Sequence, residues 1–154
     1  MEKTNVMRLL DASGIPYNSY EYDPTQTDGQ KVAELVGKPC YMVFKTLVTV
    51  GSDNEYYVFV VPVDSSLDLK KAAKSVGVKS VQMIKQKELL PLTGYIHGGC
   101  SPIGMKKQFT TVIDETAILN DTICVSAGRV GKQIEVNPET LREYVNATFQ
   151  DVSV

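Results

Sequence analysis
A lysine stands in the middle of YMVFKTLVTV, residues 41–50, where its neighbours favour a buried strand. Val43, Phe44, Val48 and Val50 are β-branched or aromatic, and no Pro or Gly interrupts the run. Alternation puts Tyr41, Val43, Lys45, Leu47 and Thr49 on one face and Met42, Phe44, Thr46, Val48 and Val50 on the other. Apolar groups on both faces describe a strand covered on both sides. An ammonium placed there loses hydration worth several kcal/mol unless an anion or hydrogen bonds replace it. Two roles fit Lys45. It is an edge lysine that reaches water and blocks sheet pairing, or it enters a pocket to meet a phosphate or carbonyl oxygen. Periodicity does not separate them.

Two glycine-bearing stretches carry the other candidates. In GGCSPIG (98–104) the paired glycines permit positive φ and close approach of a ligand, and Pro102 stiffens the end of the loop. Such a loop can aim several N–H groups at one oxygen, as in an anion nest or oxyanion hole, although most stretches of this kind are plain turns. VSAGRVG (125–131) is a strand end with Ser126, Gly128 and Arg129, and it also reads as a hairpin turn with a solvent-facing Arg. His97 is the only histidine, so a Ser-His-Asp triad would have to use it.

Composition removes other classes. The 154 residues suit one domain, residues 1–154, with room for a core. Cys40, Cys100 and Cys124 are an odd number at wide spacing, which gives neither a disulfide framework nor a zinc motif. No cofactor is called for. No apolar run reaches the length of a membrane span and MEKTNVMRLL lacks a signal-peptide core, so a cytoplasmic protein with no membrane partner is expected. A net charge of −2 argues against a dedicated DNA or RNA binder. That average hides a pattern. Residues 70–132 hold 10 Lys/Arg against 4 Asp/Glu, whereas residues 1–69 hold 5 against 10. The excess is either a solvated lysine-rich helix or a surface for an anionic ligand or RNA backbone.

The elements that must position these groups can be read from period and punctuation. Helices are expected over 5–12, from an Asp28 cap through Leu35-Val36, over 67–76, as a turn or two over 85–90, and from Asn137-Pro138-Glu139 onward. The last should bury Leu141, Tyr144, Val145 and Thr148, and the helix over 67–76 should bury Leu69, Ala72, Ala73 and Val76. Strands are expected within 15–22, 41–50, 55–63, 80–84, 110–114, 122–128 and 132–136, the second and third joined as a hairpin through GSDN. The class is α+β with a mixed sheet.

FKTLV, GGCSPIGMKK and VSAGRVGKQIEV, in this order, closely resemble the YbaK/EbsC family of aminoacyl-tRNA deacylases. SYEYDP and LDLKKAAKSVGVKSVQM fit as well, so the resemblance covers nearly the whole chain. It implies a single domain related to the editing domain of bacterial prolyl-tRNA synthetases, with a curved mixed sheet forming an open barrel flanked by helices. It places Lys45 as the functional lysine of a pocket for the aminoacylated 3′ end of tRNA. Tyr20, Gly98, Gly99, Ser101, Gly104, Ser126 and Gly128 fall on matching substrate-binding positions. The implied reaction removes cysteine mischarged on tRNA(Pro), and cysteine from its own tRNA, with prolyl-tRNA synthetase as a partner.

The resemblance further implies a substrate-assisted route, in which the cysteinyl thiol attacks its own carbonyl and no protein nucleophile is needed. Cys100 and His97 stand where the family usually carries aliphatic residues. Cys100 is then expected as a small buried hydrophobe rather than a nucleophile, and His97 as a peripheral histidine. Two other functions stay open: deacylation of another small amino acid such as alanine from tRNA(Pro), and a non-catalytic module that binds tRNA ends or nucleotides.

Overall fold
Thr4 accepts a hydrogen bond from the Met7 N–H and so starts α1 (Asn5–Ala12), whose Val6, Met7 and Leu10 are buried. The computed structural model describes residues 2–154. β1 (Asn18–Glu21) leads to α2 (Gly29–Val36), which Asp28 caps and Gly37 ends at φ 72°. A 3-10 turn at Cys40–Met42 precedes the hairpin of β2 (Phe44–Gly51) and β3 (Tyr56–Pro62). The expected strand therefore starts three residues late, because Met42 and Val43 donate back to the carbonyls of Pro39 and Cys40.

α3 (Leu69–Val76) begins on an Asp68 cap, two residues after the expected start. This leaves Leu69 exposed rather than inward, with Ala72 and Ala73 as the buried pair. β4 (Val81–Met83) precedes α4 (Gln86–Thr93), which runs three residues past Leu90 and keeps Pro91 in its exposed last turn. β5 (Thr110–Asp114), β6 (Ile123–Ser126) and β7 (Lys132–Val136) lie where the pattern puts them. α5 (Pro138–Tyr144) stops early, since Asn146 takes φ 55° and Thr148 opens an unforeseen strand, β8 (Thr148–Gln150). Tyr144 and Thr148 are accordingly exposed, while Leu141 and Val145 are buried.

The strands form two sheets rather than one. A five-stranded mixed sheet has the order β4-β2-β3-β5-β8, and a three-stranded antiparallel sheet the order β1-β7-β6. One parallel bridge, Val43 to Cys124, joins them, and no closed barrel results. The fold is a single-domain α+β architecture. Phe44, Val60 and Ile113 of the large sheet pack on Ile123, Val125, Ile134 and Val136 of the small one, with α1 and α5 closing this core. Phe59, Val61 and Val112 pack on Ala72 and Ala73 of α3, on the opposite side of the large sheet. At roughly 1.5–3 kcal/mol per buried Val, Ile or Phe, these two layers drive folding.

Alternation on β7 leaves one consequence for function. Ile134 and Val136 enter the core, so Gln133 and Glu135 occupy the other face, together with their cross-strand partners Ser126 and Cys124. α2 covers part of that face through Ala33 and Val36. The remainder stays open.

Candidate active site
Val43, just before β2, bridges to Cys124 of β6, and no strand pairing joins β2 to β6 beyond it, which leaves a wedge between them. The Val63 N–H donates to the Val43 carbonyl, so the main-chain groups of Val43, Lys45 and Leu47 face β3. Those of Phe44 and Thr46 turn to the opposite edge. β4 covers that edge only from Thr49 to Gly51, with one further bond from the Ile84 N–H to the Val48 carbonyl. The Thr46 main chain therefore faces the wedge.

This wedge is a pocket of about 430 Å³, within the usual range for small-ligand sites. Its lining includes Lys45, Thr46 and Leu47 of β2, Ser126 of β6, Gln133 of β7 and Leu89, His97, Gly98 and Cys100 of α4 and the segment after it. The start of α2 closes it at Thr27, Asp28 and Gly29. Two glycines make this closure possible. A side chain on Gly29 would lie 2.7 Å from Val63 Cγ1, and Gly98, at φ 86°, would set a Cβ 2.9 Å from Thr27 Cγ2.

The electrostatics single out Lys45. It is half-buried, lines the pocket and has no carboxylate within 4 Å among the described residues. Thr46 and Gln133 line the same pocket, and Thr46 Oγ1 and Gln133 Oε1 are buried without a hydrogen-bond partner among the described residues, Gln133 being only 6% exposed. Such orphan groups cost stability and are rare in folded proteins. One cavity is thus lined by a lysine without an ion-pair partner and by two residues that each carry an unpaired buried oxygen, among the described residues.

Not every residue of the sequence pattern reaches it. Lys45, Gly98 and Ser126 line the pocket, but Tyr20, Gly99, Ser101, Gly104 and Gly128 do not. Tyr20 donates its hydroxyl to Glu135 Oε1 at 2.6 Å. Ser101 is fully buried and accepts from the Ile103 N–H at 3.2 Å. Gly99 packs on the main chain at Arg129 and Val130, and Gly104 lies against Leu9 and the Tyr95 hydroxyl. The Gly128 N–H donates to Ser126 Oγ at 3.1 Å, which aims that side chain. These residues hold the loops that hold the pocket.

Cys100 meets the pocket, yet burial pushes its thiol up to about 12 despite a hydrogen bond with Thr93 that works the other way. It is a protonated thiol at neutral pH and a poor nucleophile. His97 is exposed at the rim. Thr46, Gln133 and the start of α2 were missed in the sequence. For Gln133 a signal existed, because Gln133 and Glu135 share one face of a strand whose other face carries the apolar Ile134 and Val136.

Comparison with known proteins identifies the family. Residues 23–144 match the family described as the aminoacyl-tRNA editing domain. The chain belongs to that family. It is similar to a protein of Enterococcus faecalis provisionally named Cys-tRNA(Pro)/Cys-tRNA(Cys) deacylase EbsC, at 45% identity across 99% of this chain and 94% of that one. It is also similar to a proline–tRNA ligase of Methylobacillus flagellatus, at 28% identity over 66% of this chain but only 18% of the ligase. A crystal structure provisionally assigned as a trans-editing enzyme for prolyl tRNA synthetase superposes with a TM-score of 0.87 over 100% of this chain and 99% of that one. At 23% identity this likeness speaks for the fold.

Proposed function
We propose that this editing domain cleaves the ester of cysteinyl-tRNA(Pro), and of cysteinyl-tRNA(Cys), in the pocket beside Lys45. The observation that carries the reading is that Lys45, which has no ion-pair partner among the described residues, lines one pocket with Thr46, Ser126 and Gln133. An α-ammonium needs hydrogen-bond acceptors, which Ser126 and Gln133 supply on the pocket lining, and the Lys45 charge can meet the ester carbonyl or the terminal nucleotide. The name of the Enterococcus faecalis relative supplies the amino acid and the tRNAs.

An aminoacyl ester is already activated, so position and charge stabilisation can suffice. The cysteinyl sulfur attacks its own carbonyl carbon, the bond from that carbon to the ribose oxygen breaks, and the thiol proton ends on the ribose hydroxyl. The products are free tRNA and a four-membered thiolactone, which water opens to cysteine. Lys45 stabilises the oxyanion, and Cys100 takes no part. Prolyl-tRNA synthetase is the natural partner, because it makes the mischarged tRNA.

The test is loss of ester from Cys-tRNA(Pro), Ala-tRNA(Pro) and Pro-tRNA(Pro) incubated with the protein. Fastest loss from Cys-tRNA(Pro), with Pro-tRNA(Pro) intact, is expected. Equal loss from Ala-tRNA(Pro) would favour a general small-residue deacylase, and no loss from any would reject the reading.

A further inference from the structure
The basic excess of residues 70–132 divides over different elements, and the pocket touches only some of them. α3 carries Lys70, Lys71 and Lys74 but contributes no residue to the pocket. Its surroundings are mixed in charge: Lys71 pairs with Asp151 at 3.1 Å, and Asp68 caps the helix. Lys132 and Arg129 are likewise engaged, by Glu21 and Glu2.

α4 differs. Its Leu89 lines the pocket, and the segment after it supplies His97, Gly98 and Cys100. Lys85, Lys87, Lys106 and Lys107 are exposed on or beside it, and none has a carboxylate within 4 Å among the described residues. Glu88, the acidic residue of this helix, turns its carboxylate back to the Lys85 N–H at 2.8 Å. Lys107 is held 5.9 Å from the centre of the Phe109 ring.

Helical spacing arranges these groups in a line. Lys87, Leu90 and Gly94 share the outer face of α4. Lys106 packs beside Gly94, where a Cβ would meet its Cγ at 3.4 Å. Leu90 and Ile96 are exposed at 51% and 55%, interleaved with the lysines and ending at His97 on the pocket rim. From Lys87 to Gly94 the line covers about 10 Å. Unpaired cations alternating with exposed apolar groups suit a single-stranded nucleic acid, whose phosphates take the charges and whose bases cover the apolar surface.

We infer that the outer face of α4, with Lys87, Leu90, Ile96, Lys106 and Lys107, carries the single-stranded 3′ end of the RNA into the pocket, and that α3 does not. This rests on the reading of the pocket as an aminoacyl-ester site. The partner is the RNA strand itself, recognised by phosphate charge and base surface.

The experiment compares two charge-matched triple variants of the full chain, Lys87→Glu/Lys106→Glu/Lys107→Glu and Lys70→Glu/Lys74→Glu/Lys79→Glu. Binding of a fluorescent RNA hairpin with a single-stranded CCA end is followed by anisotropy across a salt series. Hydrolysis of 3′-cysteinyl-adenosine, which lacks the strand, is measured in parallel. The α4 variant should bind the hairpin at least tenfold more weakly and with a shallower salt slope, while hydrolysing the small ester at the wild-type rate. The α3-side variant should match wild type in both. Equal weakening in the two variants, an effect confined to the α3 side, or no hairpin binding by wild type would overturn the inference. Because the small ester reports the pocket alone, its hydrolysis separates failure of this surface from failure of the deacylase reading.

Discussion
Two regions of one sheet face, only two residues apart on β7, are built in opposite ways. Glu135 is 7% exposed and fully engaged: Tyr20 donates at 2.6 Å, Thr122 at 2.5 Å and Asn18 at 3.4 Å, and Lys38 pairs at 3.3 Å. Gln133 is as deeply buried, yet its Oε1 has no partner. Burial pushes the Glu135 carboxyl upward, but the bonds from Thr122, Tyr20, Asn18 and Lys38 outweigh it and hold the group at about 2. The complete cluster ties β1, β6, β7 and the end of α2 together. The incomplete one belongs to the pocket lining. Satisfied polar groups here build the frame, and on the proposed reading the unsatisfied ones serve the substrate.

The largest effect should come from Lys45→Ala. Loss of the pocket cation should lower single-turnover deacylation about 1,000-fold, or about 4 kcal/mol of barrier. Because Lys45 has no ion-pair partner, the melting temperature should hold or rise. Near-wild-type turnover in this variant would dissolve the functional half of the comparison.

Glu135→Gln should do the reverse, costing stability with far less effect on chemistry. A carboxyl held at about 2 instead of its ordinary 4.5 adds about 3 kcal/mol to folding at neutral pH. The native pKa is depressed, so this contribution is present above pH 4.5 and is lost as pH falls toward 2. Denaturant titrations across that window should show wild type losing stability that the variant never had. Parallel curves for the two proteins would remove the structural half.

Gln133→Ala sharpens the contrast. It removes an orphan acceptor, so stability should change by less than about 1 kcal/mol, while deacylation falls about tenfold. A variant that unfolds easily but keeps its rate would show that Gln133 belongs with the frame. The smallest effect is expected for Cys100→Ala, within about twofold in rate, since a thiol pushed up to about 12 supplies almost no thiolate. Intact-protein mass spectrometry during turnover should find no cysteinyl adduct on the enzyme.

These contrasts also explain what was legible in the sequence. Caps and periods are local, so the Asp28 cap and the β2–β3 hairpin could be read directly, and with them the place of Lys45 in its strand. The split into two sheets was not legible, because it depends on one bridge between residues 81 positions apart, Val43 and Cys124. β8 was hidden by an apolar spacing that continues the helical pattern past Tyr144, where Asn146 turns the chain. The glycine pattern did not separate Gly98, which lines the cavity, from Gly99, Gly104 and Gly128, which lie outside its lining and pack closely on their neighbours. Gln133 became visible once strand register had put it beside Ser126.

The protein supplies position and charge, on this account, while the substrate supplies the nucleophile. That division of labour is tested most directly by single-turnover rates on Cys-tRNA(Pro) and Ser-tRNA(Pro), which differ in one atom. A thiol with pKa about 8.5 offers a few per cent of thiolate near neutral pH, whereas a hydroxyl offers almost no anion. The cysteinyl ester should react far faster, its rate rising with pH as the thiolate forms, while the two substrates bind alike. Comparable rates for the two would contradict the account and point to an activated water, with His97 at the rim as the first residue to replace.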